Sequence, residues 1–223
     1  RHCSSSHMPV MFFRKRTVPS TLQQSIVQIG ILLVQSVINS FGSTAIAGYS
    51  AGMRIESLSI VPMLAMGNAM STFTAQNMGA GKIDRVKEGY RMCYVIVLTA
   101  GAVLCVMYQL AGGAFVSLFL DSGSSEAYSV GLSYVKFLSF FYSFIGLKAS
   151  TDGLLRGAGD VTAFTVANLV NLAIRVSVTN LFAPVYGIQV AWMAVPLGWA
   201  ANYVISFGWY LTGKWKKVRV IKK

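Results

Sequence analysis

Six long apolar stretches, separated by short polar connectors, fill nearly the whole chain. They lie at residues 21–41, 46–76, 90–120, 128–152, 161–184 and 187–211. Each has about the 20 residues that an α-helix needs to cross a hydrocarbon core about 30 Å thick. The pattern therefore predicts an all-α membrane protein with six transmembrane helices.

Basic residues occur on every second connector. Lys and Arg occur before the first stretch, after the second, after the fourth and after the sixth, at Arg14–Arg16, residues 82–91, Arg156 and residues 214–223. The connectors at 42–45, 121–127 and 183–187 contain neither. Because short loops rich in Lys and Arg stay in the cytoplasm, we expect a multi-pass protein of the cell membrane with both termini in the cytoplasm.

The stretches and connectors divide the chain into three segments. Residues 1–16 form a cytoplasmic leading segment or connector, residues 17–213 a six-helix membrane lobe, and residues 214–223 a basic cytoplasmic tail. Arg1–Val10 differs in composition from the rest, and the chain does not begin with Met. We therefore expect it to be a fragment of a longer protein.

Composition agrees with a membrane location and narrows the chemistry. Of the 223 residues, 54% are hydrophobic and 12% charged, whereas soluble domains have about 25% charged residues. The net charge of +12 lies mostly at helix ends, beside the anionic inner leaflet, so we expect no nucleic-acid partner. Cys3, Cys93 and Cys105 lack metal-site spacing, and His2 and His7 lie outside the stretches. We expect no metal and no cofactor.

Charged residues inside the stretches are candidates for function, because a charge in lipid is costly. Glu56 lies near the midplane of the second stretch, and Arg54 lies two residues away on nearly the opposite face. We expect Glu56 to pair with Arg175 or with a residue of another helix. Lys148, Asp152 and Arg156 follow one another at four-residue intervals, which favours a ladder of ion pairs near the membrane surface.

Amide side chains form two polar stripes. At about 100° per residue, they fall on one face of the first stretch and one face of the fifth, namely Gln24, Gln28, Gln35 and Asn39, and Asn168 and Asn171 with Arg175. Such stripes either hydrogen-bond between helices or line a water-filled cavity. Two stripes together with Glu56 favour the cavity.

Glycine and proline positions predict where helices stop and bend. Gly-Ala-Gly occurs at residues 79–81 and 157–159, and we interpret both as helix-stop signals. Pro62 and Pro196 lie inside the second and sixth stretches, where we expect each to kink its helix.

Known catalytic motifs are missing from the chain. Gly79-Ala80-Gly81-Lys82 resembles the end of a phosphate-binding loop, but Ile83 stands where Ser or Thr must bind magnesium. The chain also lacks Gly-x-Ser-x-Gly, His-Glu-x-x-His and an intramembrane pair of carboxylates. We expect a protein that is not an enzyme.

Two motifs resemble the multidrug and toxic compound extrusion (MATE) family. They are Arg54-Ile55-Glu56 with Pro62, Gly67 and Gln76-Asn77-Met78-Gly79-Ala80-Gly81-Lys82, and Gly153-Leu154-Leu155-Arg156-Gly157-Ala158-Gly159-Asp160. The resemblance covers about residues 17–217 and matches the second of the family's two six-helix lobes. It implies an antiporter that exchanges Na⁺ or H⁺ for small organic, often cationic, substrates across a central cleft, and it makes the N-terminal six-helix lobe a missing partner.

The chain departs from the family at two acidic positions. Val27 and Ile145 occupy the places where some members have a cation-binding Glu and Asp, so the Na⁺ site of that subgroup does not carry over. Glu56 is the acidic residue that remains near the midplane.

We therefore predict the carboxy-terminal lobe of an ion-coupled drug exporter embedded in the lipid bilayer, coupled to H⁺ or Na⁺. Glu56 and Arg175 carry the coupling charge, and the amides of the two stripes line the substrate cleft. The cytoplasmic motif comprises Arg54, Gln76, Gly79, Gly81, Arg156, Gly157, Gly159 and Asp160. The alternatives are a lipid-linked saccharide flippase of the same superfamily and a non-transporting membrane module that associates with other chains.

Overall fold

A computed structural model describes Ile26, residues 28–121 and residues 125–217 of the chain. The helices in these ranges are α1 (Gln28–Asn39), α2 (Ser43–Gly79), α3 (Ile83–Ser117), α4 (Ser125–Ser139), α5 (Tyr142–Gly157), α6 (Val161–Tyr186) and α7 (Gln189–Leu211), followed by a 3₁₀ helix at Lys214–Lys217. The described residues contain no strand. The predicted all-α class is confirmed.

The helices correspond to the six apolar stretches. Among the described residues, α2, α3, α6 and α7 are each long and apolar enough to cross a membrane, and α4 with α5 makes a fifth span bent by 53°. The shorter apolar helix α1 is the described part of the first stretch. Large apolar side chains such as Leu58, Leu110 and Val204 are exposed on the outside of the bundle, as expected for a surface covered by lipid.

The break between α4 and α5 was not predicted, and no proline causes it. In a continuous helix the carbonyl of Lys136 would accept a hydrogen bond from the N–H of Phe140. Here that carbonyl accepts from the Ser139 hydroxyl at 2.7 Å and from the Gln109 amide of α3 at 2.8 Å. Side chains that insert into the hydrogen-bond ladder are a known cause of bends. By contrast, α2 and α7 continue as helices through Pro62 and Pro196.

The long helix α2 packs against α3, α4 and α5, and α6 pairs with α7. Glycines allow α2 and α5 to approach closely: a Cβ on Gly153 would collide with the carbonyl oxygen of Gly67, and one on Gly157 with that of Ser71. Small residues serve this purpose in membrane helices. The core of the bundle thus lies along the seam between α2 and α5.

The two Gly-Ala-Gly signals end α2 and α5, as predicted. Gly81 and Gly159 have φ angles of 72° and 85°, which favour glycine. The N–H groups of Lys82 and Asp160 return to the carbonyls of Asn77 and Leu155 at 2.8 and 2.9 Å, which gives both helices the same kind of cap. The Trp209 indole donates to Asp160 at 2.7 Å, so the basic connector after α5 and the end of α7 lie at one end of the bundle.

Candidate functional site

A cavity opens between α1, α2 and α6. Its lining combines apolar and polar side chains, namely Gly30, Ile31, Val34, Gln35, Tyr49, Met53, Asn168, Asn171, Leu172 and Arg175. The cavity volume is about 90 Å³, which is room for several water molecules. It lies between helices that cross the membrane, where polar groups without partners are costly.

The cavity brings together residues from both predicted amide stripes. Gln35 of α1 lies opposite Asn168, Asn171 and Arg175 of α6. Gln28 and Asn39 are exposed and do not line the cavity, although Gln35 donates a hydrogen bond to Asn39 at 3.1 Å. Gln24 lies outside the described residues.

Arg175 reaches the cavity without a fixed partner. Within the part of the chain that the structure describes, its guanidinium donates no hydrogen bond and forms no ion pair, and the side chain is half-buried. The neighbouring Asn171 is in the same situation, because its buried carbonyl oxygen has no hydrogen-bond partner and its amide nitrogen donates none to the described residues. A guanidinium offers five N–H donors, so the α6 wall of the cavity is rich in free donors.

Glu56 belongs to α2 and lies outside the cavity lining, where it is bound to another helix. Its carboxylate is buried and accepts a hydrogen bond from the hydroxyl of Tyr134 in α4. Tyr134 packs edge-on against Tyr49, with ring centroids 5.2 Å apart, and Tyr49 lines the cavity. Of the two partners expected for Glu56, the structure gives the residue on another helix. Arg175 is close enough to act on it electrostatically but lies beyond the 4.0 Å of an ion pair.

A second polar cluster lies between α5, α6 and α7. Lys148 and Asp152 form an ion pair at 3.2 Å, with side chains only 14% and 6% exposed. Asn168 accepts from Lys148 at 3.1 Å and donates to Asp152 at 3.4 Å, and Ser206 donates to Asp152 at 2.7 Å. Since Asn168 also lines the cavity, it connects the ion pair to the cavity.

The predicted ladder of three charges does not form. The predicted pair of Lys148 and Asp152 does form, and it is buried within the bundle. Arg156 turns to α2 instead, where it donates to the Asn68 side chain at 2.7 Å and lies over the ring of Phe164. The reason is that residue 156 lies beyond the buried part of α5 and is exposed.

Most residues of the predicted cytoplasmic motif lie at the ends of helices in this structure. Asp160 accepts from the N–H of Ala163 at 3.3 Å and so caps α6. Gly79 and Gly157 are the last residues of α2 and α5, and Gly81 and Gly159 lie in the turns that follow. Gln76 and Arg54 are exposed. None of these residues lines the cavity.

Sequence reasoning missed the aromatic side of the site. Tyr49, Met53 and Tyr134 were not among the predicted residues, although a tyrosine hydroxyl deep in an apolar stretch needs a hydrogen-bond partner and thus signals a polar contact. Ser206 and Asn202 of α7 were also missed, although buried polar side chains in an apolar stretch likewise need hydrogen-bond partners. Among the described residues there is no group of His, Cys, Asp and Glu that could hold a metal ion.

Known proteins are similar to this chain in sequence. The family model MatE matches residues 19–181. The chain is 28% identical over 207 residues to the probable multidrug resistance protein YpnP of Bacillus subtilis, covering 92% of this chain and 46% of YpnP. It is 24% identical to the probable multidrug resistance protein YoeA of the same organism, covering 92% of this chain and 44% of YoeA. The chain thus spans about half the length of these relatives.

Solved structures share the fold over the same extent. A crystal structure of MATE in the bent conformation superimposes with a TM-score of 0.84 at 20% identity, covering 97% of this chain and 49% of that one. A transporter of the MOP superfamily from Pyrococcus furiosus gives a TM-score of 0.84 at 19% identity, covering 96% of this chain and 49% of that one. The arrangement of helices in this chain is therefore about one half of a larger architecture in both.

Proposed function

Because the chain belongs to the MatE family, whose members are membrane transporters, we propose that it is the carboxy-terminal lobe of an ion-coupled antiporter that exports organic compounds across the cell membrane. The cavity between α1, α2 and α6 carries this proposal. It holds amides and a guanidinium that forms no hydrogen bond or ion pair with the described residues, among apolar helices of which α2 and α6 are long enough to cross a membrane. Polar groups in such a place mark transport pathways. A second six-helix lobe would close the cavity into a central cleft, since transporters of this kind bind substrate between repeated halves.

Glu56 is the residue that would bind the coupling ion, H⁺ or Na⁺. It is a buried carboxylate that accepts a hydrogen bond from Tyr134, and the ring of Tyr134 packs against that of Tyr49 in the cavity lining. The negative charge of Glu56 acts electrostatically on Arg175, which lines the cavity. Occupation of Glu56 by a cation would remove that negative charge and so change the field that a substrate meets beside Arg175, which links ion binding to substrate binding.

The substitution Glu56→Gln tests this role in the assembled transporter. We expect efflux of a fluorescent dye from cells to fall to the level of cells without the transporter, while expression and membrane insertion stay unchanged. Glu88→Gln is the matched control, because Glu88 is an exposed glutamate of α3, and it should retain efflux. Full efflux by Glu56→Gln would remove Glu56 from the mechanism.

A further inference from the structure

We propose that the cavity binds the carboxylate of a small amphipathic organic anion, and that Arg175 is the residue that recognises it. The proposal rests on the proposed function and adds the chemical class of the substrate. Among the described residues that line the cavity, Arg175 is the one that carries a charge. A cationic substrate in the same position would meet like-charge repulsion.

Free donors on one wall fit a carboxylate. The Arg175 guanidinium has no hydrogen-bond or ion-pair partner in the described chain, and its planar fork matches the two oxygens of a carboxylate. Asn171, one helical turn away on the same face, has an amide nitrogen that donates no hydrogen bond to the described residues. Together these groups present N–H donors that form no hydrogen bond with the described residues.

None of the described residues that line the cavity is a carboxylate. Glu56 is bound to Tyr134 and lies outside the cavity lining, and it acts on Arg175 electrostatically without forming an ion pair. Asp152 is occupied by Lys148, Ser206 and Asn168. The charge that faces the cavity is therefore positive.

Apart from the Gln35 amide, the opposite wall is apolar and aromatic. Ile31 and Val34 of α1, with Met53 and Tyr49 of α2, face the α6 wall across the cavity. Such a surface gains free energy by contact with a hydrocarbon or aromatic body. The combination favours a ligand with one carboxylate and a compact apolar body, as in the general pattern of small-molecule sites.

Three dansyl probes with the same fluorophore separate charge from shape. Dansylglycine carries a carboxylate, its methyl ester is neutral, and dansyl ethylenediamine carries an ammonium group. Binding to the assembled transporter in lipid nanodiscs is followed by dansyl fluorescence. We expect dansylglycine to bind about tenfold more tightly than the ester, because the ester loses the charge-assisted hydrogen bonds, and the ammonium probe to bind most weakly.

Substitutions at Arg175 assign the preference to this side chain. Arg175→Gln should weaken dansylglycine about tenfold and leave the ester unchanged, Arg175→Lys should give an intermediate loss, and Arg175→Glu should make the ammonium probe the preferred one. Arg85→Gln is the matched control, because Arg85 is an exposed arginine of α3 outside the cavity and its loss should change none of the three affinities. If Arg175→Gln does not fold, Arg175→Lys decides the outcome.

Two results would overturn the proposal: the ammonium probe binding the unsubstituted protein as tightly as dansylglycine, or Arg175→Lys and Arg175→Gln weakening all three probes equally. The measurement involves no efflux. A transporter that binds dansylglycine through Arg175 but exports nothing would refute the proposed function alone, and a dye exporter without the carboxylate preference would refute this inference alone.

Discussion

Lys148 and Asp152 are oppositely charged side chains whose burial makes the loss of either one costly. Removing one member of a buried ion pair leaves a charge without compensation, which costs about 3 kcal/mol or more. We therefore expect Asp152→Asn to lower the thermal unfolding temperature of the purified protein in detergent. The double variant Lys148→Met/Asp152→Leu should recover most of that loss, because it leaves no buried charge.

The pair of Lys87 and Asp84 provides the control for this prediction. Its nitrogen and oxygen are 2.7 Å apart, but the Asp84 side chain is 94% exposed, and exposed pairs contribute about 0–1 kcal/mol. Asp84→Asn should therefore leave the unfolding temperature nearly unchanged. Equal destabilisation by Asp84→Asn and Asp152→Asn would show that burial does not set the contribution of the pair.

Spacing along the chain predicted some of these residue contacts but not their surroundings. The four-residue interval between Lys148 and Asp152 identified the pair, because residues at this interval share a helix face. It could not predict that Asn168 and Ser206 would complete the cluster, since they belong to α6 and α7. Likewise, Tyr134 meets Glu56 across 78 residues of sequence, and such a contact depends on how the helices pack.

At the scale of the element, the seam between α2 and α5 depends on the absence of side chains. A single methyl group at Gly153 would collide with the carbonyl oxygen of Gly67. Forcing extra atoms into a packed interior typically costs about 1–3 kcal/mol, so Gly153→Ala should lower the unfolding temperature in detergent.

Gly208→Ala isolates the effect of packing from that of helix propensity. Both glycines lie inside helices, but a Cβ on Gly208 of α7 would meet nothing within 4 Å. This substitution should be neutral or slightly stabilising, because alanine favours helix by about 1 kcal/mol over glycine. A rise in the unfolding temperature for Gly153→Ala as well as for Gly208→Ala would contradict the prediction. It would mean that the seam between α2 and α5 accommodates the extra methyl group without loss of stability.

The helices themselves were largely predictable, because a membrane span must be long, apolar and internally hydrogen-bonded. Apolar length located the long described helices but joined α4 and α5 into one stretch, and the two Gly-Ala-Gly signals located the ends of α2 and α5. The break after Ser139 escaped prediction because one of its causes, the Gln109 side chain, comes from α3. A partner helix that supplies a hydrogen bond leaves no mark in the sequence of the helix that bends.

At the scale of the whole molecule, the cavity has to be wet if it is half of a transport cleft. In the assembled transporter, with Cys3, Cys93 and Cys105 replaced by serine, a water-soluble, charged thiol reagent should label Gln35→Cys and Asn171→Cys. Both positions line the cavity. Dansylglycine should slow the labelling, because bound ligand and reagent would occupy the same space.

Leu110→Cys is the control for access from water. Leu110 is 84% exposed on α3, on a surface that we expect lipid to cover, and a charged reagent does not partition into hydrocarbon. Geometric exposure alone would make Leu110→Cys react faster than the cavity positions, whereas a wet cavity in a membrane reverses that order. Faster labelling at Leu110→Cys would mean that the apolar helices do not sit in the bilayer as their exposed surfaces require.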